Sequence, residues 1–146
     1  MGVAALVLAA AVGVGLSSAA NSVAMRAALD AKQQVPPQAV KAPNASGRFT
    51  AALLRSSNGR GKLTWSLTYR NLSSEAIQAS IVLPAVRPNG EVDVLLCRRC
   101  KASSHGTVWP ILKYPTAALL KRPGYVVIRT KKNPKGEIRG RIVRSG

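Results

Sequence analysis

Cys97 and Cys100 are the residues with the widest choice of chemistry, and two arginines separate them. This spacing fits a local disulfide, a redox-active Cys-x-x-Cys motif or one half of a zinc site. A thioredoxin-like motif needs a helix N-terminus in a βαβ unit, and a structural zinc site needs four ligands. His105 is the one imidazole that could join the two sulfurs. The sequence therefore favours a disulfide and predicts neither a metal nor a cofactor.

Acid–base catalysis would have to use a small set of side chains, since the sequence has one histidine and five carboxylates. His105 lies between Ser104 and Gly106, which fits a solvated turn residue better than a catalytic base. Glu91 and Asp93 could share one face of a strand, but no glycine-rich phosphate loop or metal-ligand set accompanies them. The alternative is that the carboxylates offset nearby arginine and lysine side chains. We expect this chain not to be an enzyme.

The sequence is strongly basic, with 22 Lys and Arg against 5 Asp and Glu and a net charge of +17. Such a charge attracts anionic partners, and the attraction weakens with salt. A predicted hairpin near the C-terminus places four cations opposite its core face: Arg129, Lys131, Arg139 and Arg141. We predict an anion- or partner-binding surface there, because guanidinium groups match sulfate, phosphate and carboxylate. The alternative is a solvated basic surface without a dedicated ligand.

Residues 1–20 carry no charged side chain and end in small residues. This pattern predicts a signal peptide cleaved before Asn21, with an uncleaved membrane anchor as the alternative. For a secreted chain we expect proteins or anionic polymers, such as glycans and cell-wall polymers, as partners rather than nucleic acid. Membrane contact is expected only through an uncleaved leader. Sequons at Asn44 and Asn71 would permit glycosylation only in a eukaryotic secretory pathway.

Alternating apolar and polar residues run through most of the remaining chain. The clearest case is Leu63, Trp65, Leu67 and Tyr69, whose period of two fits a half-buried strand. Weaker alternation elsewhere, with Gly, Pro and Asn turns between, predicts further short strands, and residues 115–121 are predicted to be helical. Residues 23–29 allow either a strand or a short helix. The predicted fold class is all-β, an antiparallel β-sandwich with Greek-key-like connections and one short connecting helix.

Several stretches of the sequence resemble the pattern of CHRD (chordin-type) domains, which are secreted β-rich modules. The most specific is residues 124–140, which is similar to the family's Tyr-Val-x-x-His-Thr strand, Asn-Pro-x-Gly turn and Gly-Glu-Ile-Arg-Gly strand. Residues 63–72 resemble the strand that ends in Tyr-x-Leu, and residues 35–37 with 45–47 resemble the opening of the pattern. Leu96-Cys97-Arg98-Arg99-Cys100 stands where many bacterial members have Leu-Cys-x-x-Cys. The resemblance implies one CHRD-like β-sandwich domain over residues 24–143.

The chain departs from this pattern where typical members carry histidines. Those members have Ala-His-Ile-His where this chain has Ala79-Ser80-Ile81-Val82, and a histidine at the position of Arg129. A metal or proton-active histidine cluster in such relatives is therefore not carried over. The predicted function is a secreted, non-catalytic CHRD-like module that binds a protein or an anionic polymer. The alternatives are a structural surface protein without a dedicated ligand and a Cys-x-x-Cys oxidoreductase.

Overall fold

The computed structural model describes residues 22–84 and 92–145. The predicted leader over residues 1–20 and the carboxylate of Glu91 lie outside these described residues. Within them the elements are, in chain order, β1 (Ser22–Asp30), β2 (Ser46–Arg55), β3 (Gly61–Arg70), β4 (Ala76–Leu83), β5 (Val92–Arg98), β6 (Ser103–Ile111), α1 (Lys113–Lys121), β7 (Tyr125–Thr130), β8 (Ile138–Arg141) and β9 (Val143–Ser145). No helix in these ranges is long and apolar enough to cross a membrane.

Strand β1 covers the segment for which the sequence allows either a strand or a helix. Met25, Ala27 and Leu29 are buried, and the residues between them are exposed, which is the period of a strand. β1 pairs with β2 along its whole length, from Ser22 opposite Leu54 to Asp30 opposite Ser46. Tertiary pairing and burial of alternate side chains therefore outweigh the helical propensity of this segment.

The strand pairs in the described residues are all antiparallel. The order across the sheet is β5-β4-β7-β8-β1-β2-β3-β6, and β9 also pairs with β1. β8 pairs with β1 at one residue pair, Asp30 opposite Arg139. This short pairing joins the part of the sheet formed by β5, β4, β7 and β8 to the part formed by β1, β2, β3 and β6. The edge strands β5 and β6 follow each other in the chain and contact each other, so the sheet curls around one core. The predicted all-β antiparallel fold with one short helix is confirmed, and the layers of the expected sandwich are parts of one curled sheet.

Helix α1 begins at Lys113, two residues before the predicted start, and closes one end of the core. Pro115 lies in the first turn, where its missing N–H is not needed for helical hydrogen bonding. Leu119 and Thr116 are fully buried, and Thr116 Oγ1 donates to the Leu112 carbonyl at 2.8 Å. A Cβ on Gly61 would lie 2.7 Å from Thr116 Oγ1, so the absence of a side chain there lets α1 approach the start of β3.

Candidate functional site

The cations of the predicted binding hairpin lie on the outer face of β7 and β8 or directly after β7. Val126, Ile128 and Ile138 are buried in the core, so the alternation of the strands turns Arg129 and Arg139 outward. Arg141 and Lys131 are exposed, whereas Arg129 and Arg139 are partly buried. The structure therefore places all four cations outside the core, but their side chains have different partners.

Arg129 and Lys131 are paired with carboxylates. The Nη1 atom of Arg129 donates to Ser80 Oγ at 2.9 Å, and its Nη2 lies 3.8 Å from Asp93 Oδ2 across β4. Lys131 Nζ lies 3.2 Å from Glu75 Oε2, and both of these side chains are mostly exposed. An anionic ligand would compete with the carboxylate of Asp93 for Arg129 and with that of Glu75 for Lys131. These two cations therefore attract it less than their formal charge implies.

Arg139 holds the loop after β1 against the hairpin. Its guanidinium carbon lies 4.2 Å from the centroid of the Tyr125 ring, and its Nη1 donates to the Val35 carbonyl at 3.0 Å. A guanidinium over an aromatic face is attracted by the ring quadrupole. This arrangement orders Arg139 and uses part of its donor capacity within the protein.

Arg141 lies beside two further arginines that the hairpin prediction did not include. Arg26 on β1 and Arg48 on β2 point outward, and together with Arg141 they line a groove of about 640 Å³, which we call the three-arginine groove. Gln33 and Ala28 also line it, and none of the described residues that line it is acidic. Among the described residues, none forms a hydrogen bond or ion pair with the three guanidinium groups. The structure therefore brings together cations that are remote in sequence and remain available to a ligand.

A second basic hollow adjoins this groove through Arg141. It has a volume of about 330 Å³ and is also lined by Lys121 and Arg122 at the end of α1 and by Tyr125 at the start of β7. Arg141 lines both hollows, so positively charged surface continues from β2 across β1 and β8 to the helix. A ligand with several negative charges could contact more than one of these cations at once.

Glu137 is a fully buried carboxylate directly before β8. Its Oε1 accepts hydrogen bonds from Thr130 Oγ1 at 2.9 Å and from Asn133 Nδ2 at 2.8 Å, and the Ser73 hydroxyl donates to it as well. Its Oε2 accepts from the Ser73 backbone N–H at 2.7 Å. The interpretation that carboxylates offset arginine and lysine fits Asp93 and Glu75 but is wrong for Glu137, whose hydrogen-bond donors are neutral.

Two opposing effects act on the pKa of Glu137. Burial raises it, because the charged form loses its hydration, whereas the hydrogen bonds from Ser73, Asn133 and Thr130 favour the carboxylate. The hydrogen bonds prevail, and the pKa of Glu137 lies below its usual range. Asn133 also donates to the Val40 carbonyl at 2.9 Å, so the carboxylate and Asn133 together tie the long β1–β2 loop to the hairpin.

Cys97 and Cys100 form a disulfide, in agreement with the sequence. The pair lies at the corner where the chain passes from edge strand β5 to edge strand β6. The Arg99 N–H donates to the Ile77 carbonyl at 3.0 Å, and the Tyr69 hydroxyl donates to the Cys100 carbonyl. Burial raises the pKa of Tyr69, and the Glu75 carboxylate adds to this effect. The corner therefore connects β4 with β3 and holds the two edges of the sheet together.

Removal of the disulfide by the double change Cys97→Ser and Cys100→Ser is expected to lower the free energy of unfolding by about 2 kcal/mol or less. The loop that the disulfide closes is short, and the hydrogen bonds of Tyr69 and Arg99 at the same corner do not involve the sulfurs. Urea unfolding monitored by circular dichroism measures the change. A double variant that lacks the β-sheet spectrum in buffer would contradict this limited role.

The remaining candidate residues from the sequence are separated from these clusters. His105 is exposed on β6, opposite Ser66. Across residues 22–84 and 92–145, no three His, Cys, Asp or Glu side chains are grouped so that they could hold a metal ion. The two sequon asparagines lie together, and Asn71 Nδ2 donates to the Asn44 carbonyl at 3.3 Å.

A family model for the CHRD domain matches residues 25–142 of the chain. The chain belongs to the CHRD domain family. No curated protein and no solved structure matches the chain. CHRD domains occur in extracellular proteins, and membership indicates a binding module in general terms without naming a ligand.

In this CHRD domain the motif residues near the C-terminus have a visible structural role. Asn133 and Gly136 shape the turn between β7 and β8, where the Gly136 N–H donates to the Asn133 carbonyl at 3.0 Å. Glu137 follows and anchors the surrounding loops. The positions at which typical members carry histidines are Ser80, Val82 and Arg129, on the face of the paired strands β4 and β7 that is opposite to Ala79 and Ile128. Ser80 and Val82 are buried there, and Arg129 is partly buried. Arg129 and Ser80 are hydrogen-bonded to each other there.

Proposed function

We propose that this CHRD domain is an exported, non-catalytic binding module that recognises an anionic surface polymer through the three-arginine groove. The observation that carries the proposal is the convergence of Arg26, Arg48 and Arg141 on one groove, with no acidic residue among the described residues that line it. Acidic proteins form a second class of ligand that the same cations would attract.

The strand scaffold supports the proposal because it fixes the spacing of the cations. Arg26 is opposite Thr50 on β2, and Arg48 is opposite Ala28 on β1, so the two arginines lie on adjacent strands one pleat apart. Neighbouring strands are roughly 4.8 Å apart. Guanidinium groups held at such intervals can each contact a separate sulfate, phosphate or carboxylate along a chain. Because the backbone is already ordered, little entropy is lost in arranging it for binding.

The charge balance of the described residues supports an anionic rather than a cationic ligand. Asp93 and Glu75 are paired with Arg129 and Lys131, and Glu137 is buried among neutral donors. Asp30 accepts hydrogen bonds from the backbone and side chain of Gln33. These four carboxylates already form ion pairs or hydrogen bonds within the protein, which also supports a non-catalytic role. Export is supported by the uncharged, apolar sequence of residues 1–20, which predicts a leader, by the disulfide and by family membership.

Chromatography on matched resins tests the function. The protein is expected to bind heparin and anionic cell-wall material at low salt, to elute as ionic strength rises, and to pass through a neutral polysaccharide resin. Mass analysis of the exported protein would establish where its N-terminus lies. Passage through both anionic materials at low salt, with the protein folded by circular dichroism, would contradict the proposal.

A further inference from the structure

The end of the sheet that α1 closes carries large apolar side chains on its surface. Trp109 is 56% exposed, Leu112 62%, Tyr114 40% and Leu54 42%. Isolated exposed apolar residues are common, whereas a contiguous group marks a binding surface. We call these four residues the aromatic end.

The register of the strands places Leu54 and Trp109 on the two sides of Lys62. Gly61 is opposite Ile111 and Leu63 is opposite Val108, so Lys62 lies beside Trp109 at an irregularity between β3 and β6. Leu54 on β2 is directly opposite Lys62 on the other side. Trp109, Leu112 and Tyr114 follow within six residues as β6 passes into α1. One surface therefore presents apolar groups on two strands and on the beginning of the helix.

The cations around the aromatic end have no acidic neighbours in sequence. Arg55, Arg60, Lys62 and Lys113 are exposed there. A Cβ on Gly59 would lie 3.2 Å from Lys113 Cγ, so the β2–β3 turn with its arginines packs beside the start of the helix. The sequence has no Asp or Glu between Asp30 and Glu75 or between Asp93 and Glu137, the intervals that contain these residues. The surface combines exposed aromatic and aliphatic groups with uncompensated positive charge.

The chain also enters the domain at this end. β1 begins at Ser22, which is opposite Leu54. Residues 1–20, which carry no charged side chain, precede it in the sequence. If the leader were retained in a membrane, the short connection to Ser22 would keep the aromatic end near that membrane.

We propose that the aromatic end docks on the surface of an anionic lipid bilayer. Trp and Tyr side chains favour the boundary between headgroups and acyl chains, and lysine and arginine at the same depth attract anionic headgroups. Trp109 and Leu112 enter the interface, while Arg55, Arg60 and Lys113 face the headgroups. This surface is separate from the three-arginine groove, and docking there leaves the groove free for its ligand.

Tryptophan fluorescence reports on docking by the aromatic end itself rather than on insertion of the leader. Of the two tryptophans, Trp65 is buried and Trp109 is exposed, so a change of surroundings at the surface is seen through Trp109. With phosphatidylcholine vesicles that contain phosphatidylglycerol, we expect a blue shift of the emission and quenching by lipids brominated near the headgroup. The shift is expected to be absent with pure phosphatidylcholine and lost in Trp109→Phe.

A second pair of variants separates apolar contact from loss of fold. Leu112→Ser is expected to weaken vesicle binding about tenfold, because one exposed leucine no longer enters the interface. Val35→Ser is the matched control, since Val35 is 68% exposed but lies in the loop after β1, at the opposite end of the sheet. Its vesicle binding is expected to equal that of the unchanged protein.

Three results would overturn the proposal. Vesicle binding without a Trp109 shift would show that charge or the leader holds the protein on lipid. The same shift with soluble heparin and no lipid would assign the aromatic end to a polymer. A shift that depends on protein concentration without vesicles would assign it to a second copy of the chain.

Discussion

Replacing Glu137 with glutamine is expected to lower the free energy of unfolding by about 3 kcal/mol. The carboxylate accepts four hydrogen bonds from Ser73, Thr130 and Asn133 while it is fully buried. Glutamine keeps one acceptor oxygen and brings an NH₂ group, so at least one buried donor faces another donor. Urea denaturation at neutral pH, monitored by circular dichroism, measures the loss.

Glu75→Gln is the matched control for this change. The Glu75 carboxylate is exposed and pairs with the exposed ammonium of Lys131, so we expect a loss of about 0.5 kcal/mol or less. Both variants lose one negative charge, and a difference between them isolates the effect of the buried network. Equal losses in the two variants would contradict the role of Glu137 as the anchor of the β1–β2 loop.

The pKa of Glu137 also predicts a pH dependence. Because its pKa is lower in the folded protein than in the unfolded chain, its contribution to stability is complete above about pH 4.3. The contribution is lost as the pH falls through the lowered pKa, where the folded protein must also take up the proton. The stability difference between the unchanged protein and Glu137→Gln is therefore expected to shrink in acid and to be constant near neutrality.

Replacing Gly124 with alanine is expected to destabilise the protein by about 3 kcal/mol or more. Gly124 has φ +76, which an L side chain rarely adopts, and an added Cβ would lie 2.1 Å from the Val82 carbonyl oxygen. The clash is with backbone, which cannot move aside as a side chain does. Relief would separate β4 from β7 at the point where Gly124 also accepts a hydrogen bond from the Ile142 N–H. Thermal unfolding of the purified variant measures the effect.

Gly59→Ala is the matched control, and the difference in stability between the two variants isolates the steric cost at Gly124. Gly59 has φ +85, but its nearest neighbour is the flexible side chain of Lys113, 3.2 Å from an added Cβ. The backbone cost alone is expected to be about 1 kcal/mol. A Gly124→Ala protein as stable as Gly59→Ala would contradict the close approach of Gly124 to Val82.

Local patterns in the sequence were sufficient for strand β3 and for the cysteine pair, whereas β1 was decided by its pairing with β2. In β3, Leu63, Trp65 and Leu67 are buried and the residues between them are exposed, because a strand buries alternate residues whatever its partners. Cys97 and Cys100 are close enough in sequence to be joined within one corner. Helix α1 begins two residues before the start that the sequence predicts, since the first turn of a helix makes few backbone hydrogen bonds that would define it.

The composition of the three-arginine groove could not be predicted in the same way. It depends on the neighbours of β1, which has β2 on one side and β8 and β9 on the other, more than 100 residues away along the chain. Alternation shows that Arg26, Arg48 and Arg141 point outward but not that they point into one groove. The burial of Glu137 was missed for a related reason, because its donor Ser73 lies in the loop before β4. The one available signal was the Asn-Pro-x-Gly turn that precedes Glu137.

The central claim is that the three-arginine groove binds an anionic polymer, and a comparison of two triple variants tests it most directly. One variant changes Arg26, Arg48 and Arg141 to glutamine, and the other changes the exposed Lys41, Lys132 and Lys135 at one end of the sheet to glutamine. Both remove three charges from a net +17, so non-specific attraction falls equally.

The dissociation constant for a heparin oligosaccharide is measured by calorimetry at one salt concentration. We predict that the groove variant binds about tenfold more weakly, while the lysine variant stays within about twofold of the unchanged protein. Equal weakening in both variants would contradict a specific groove.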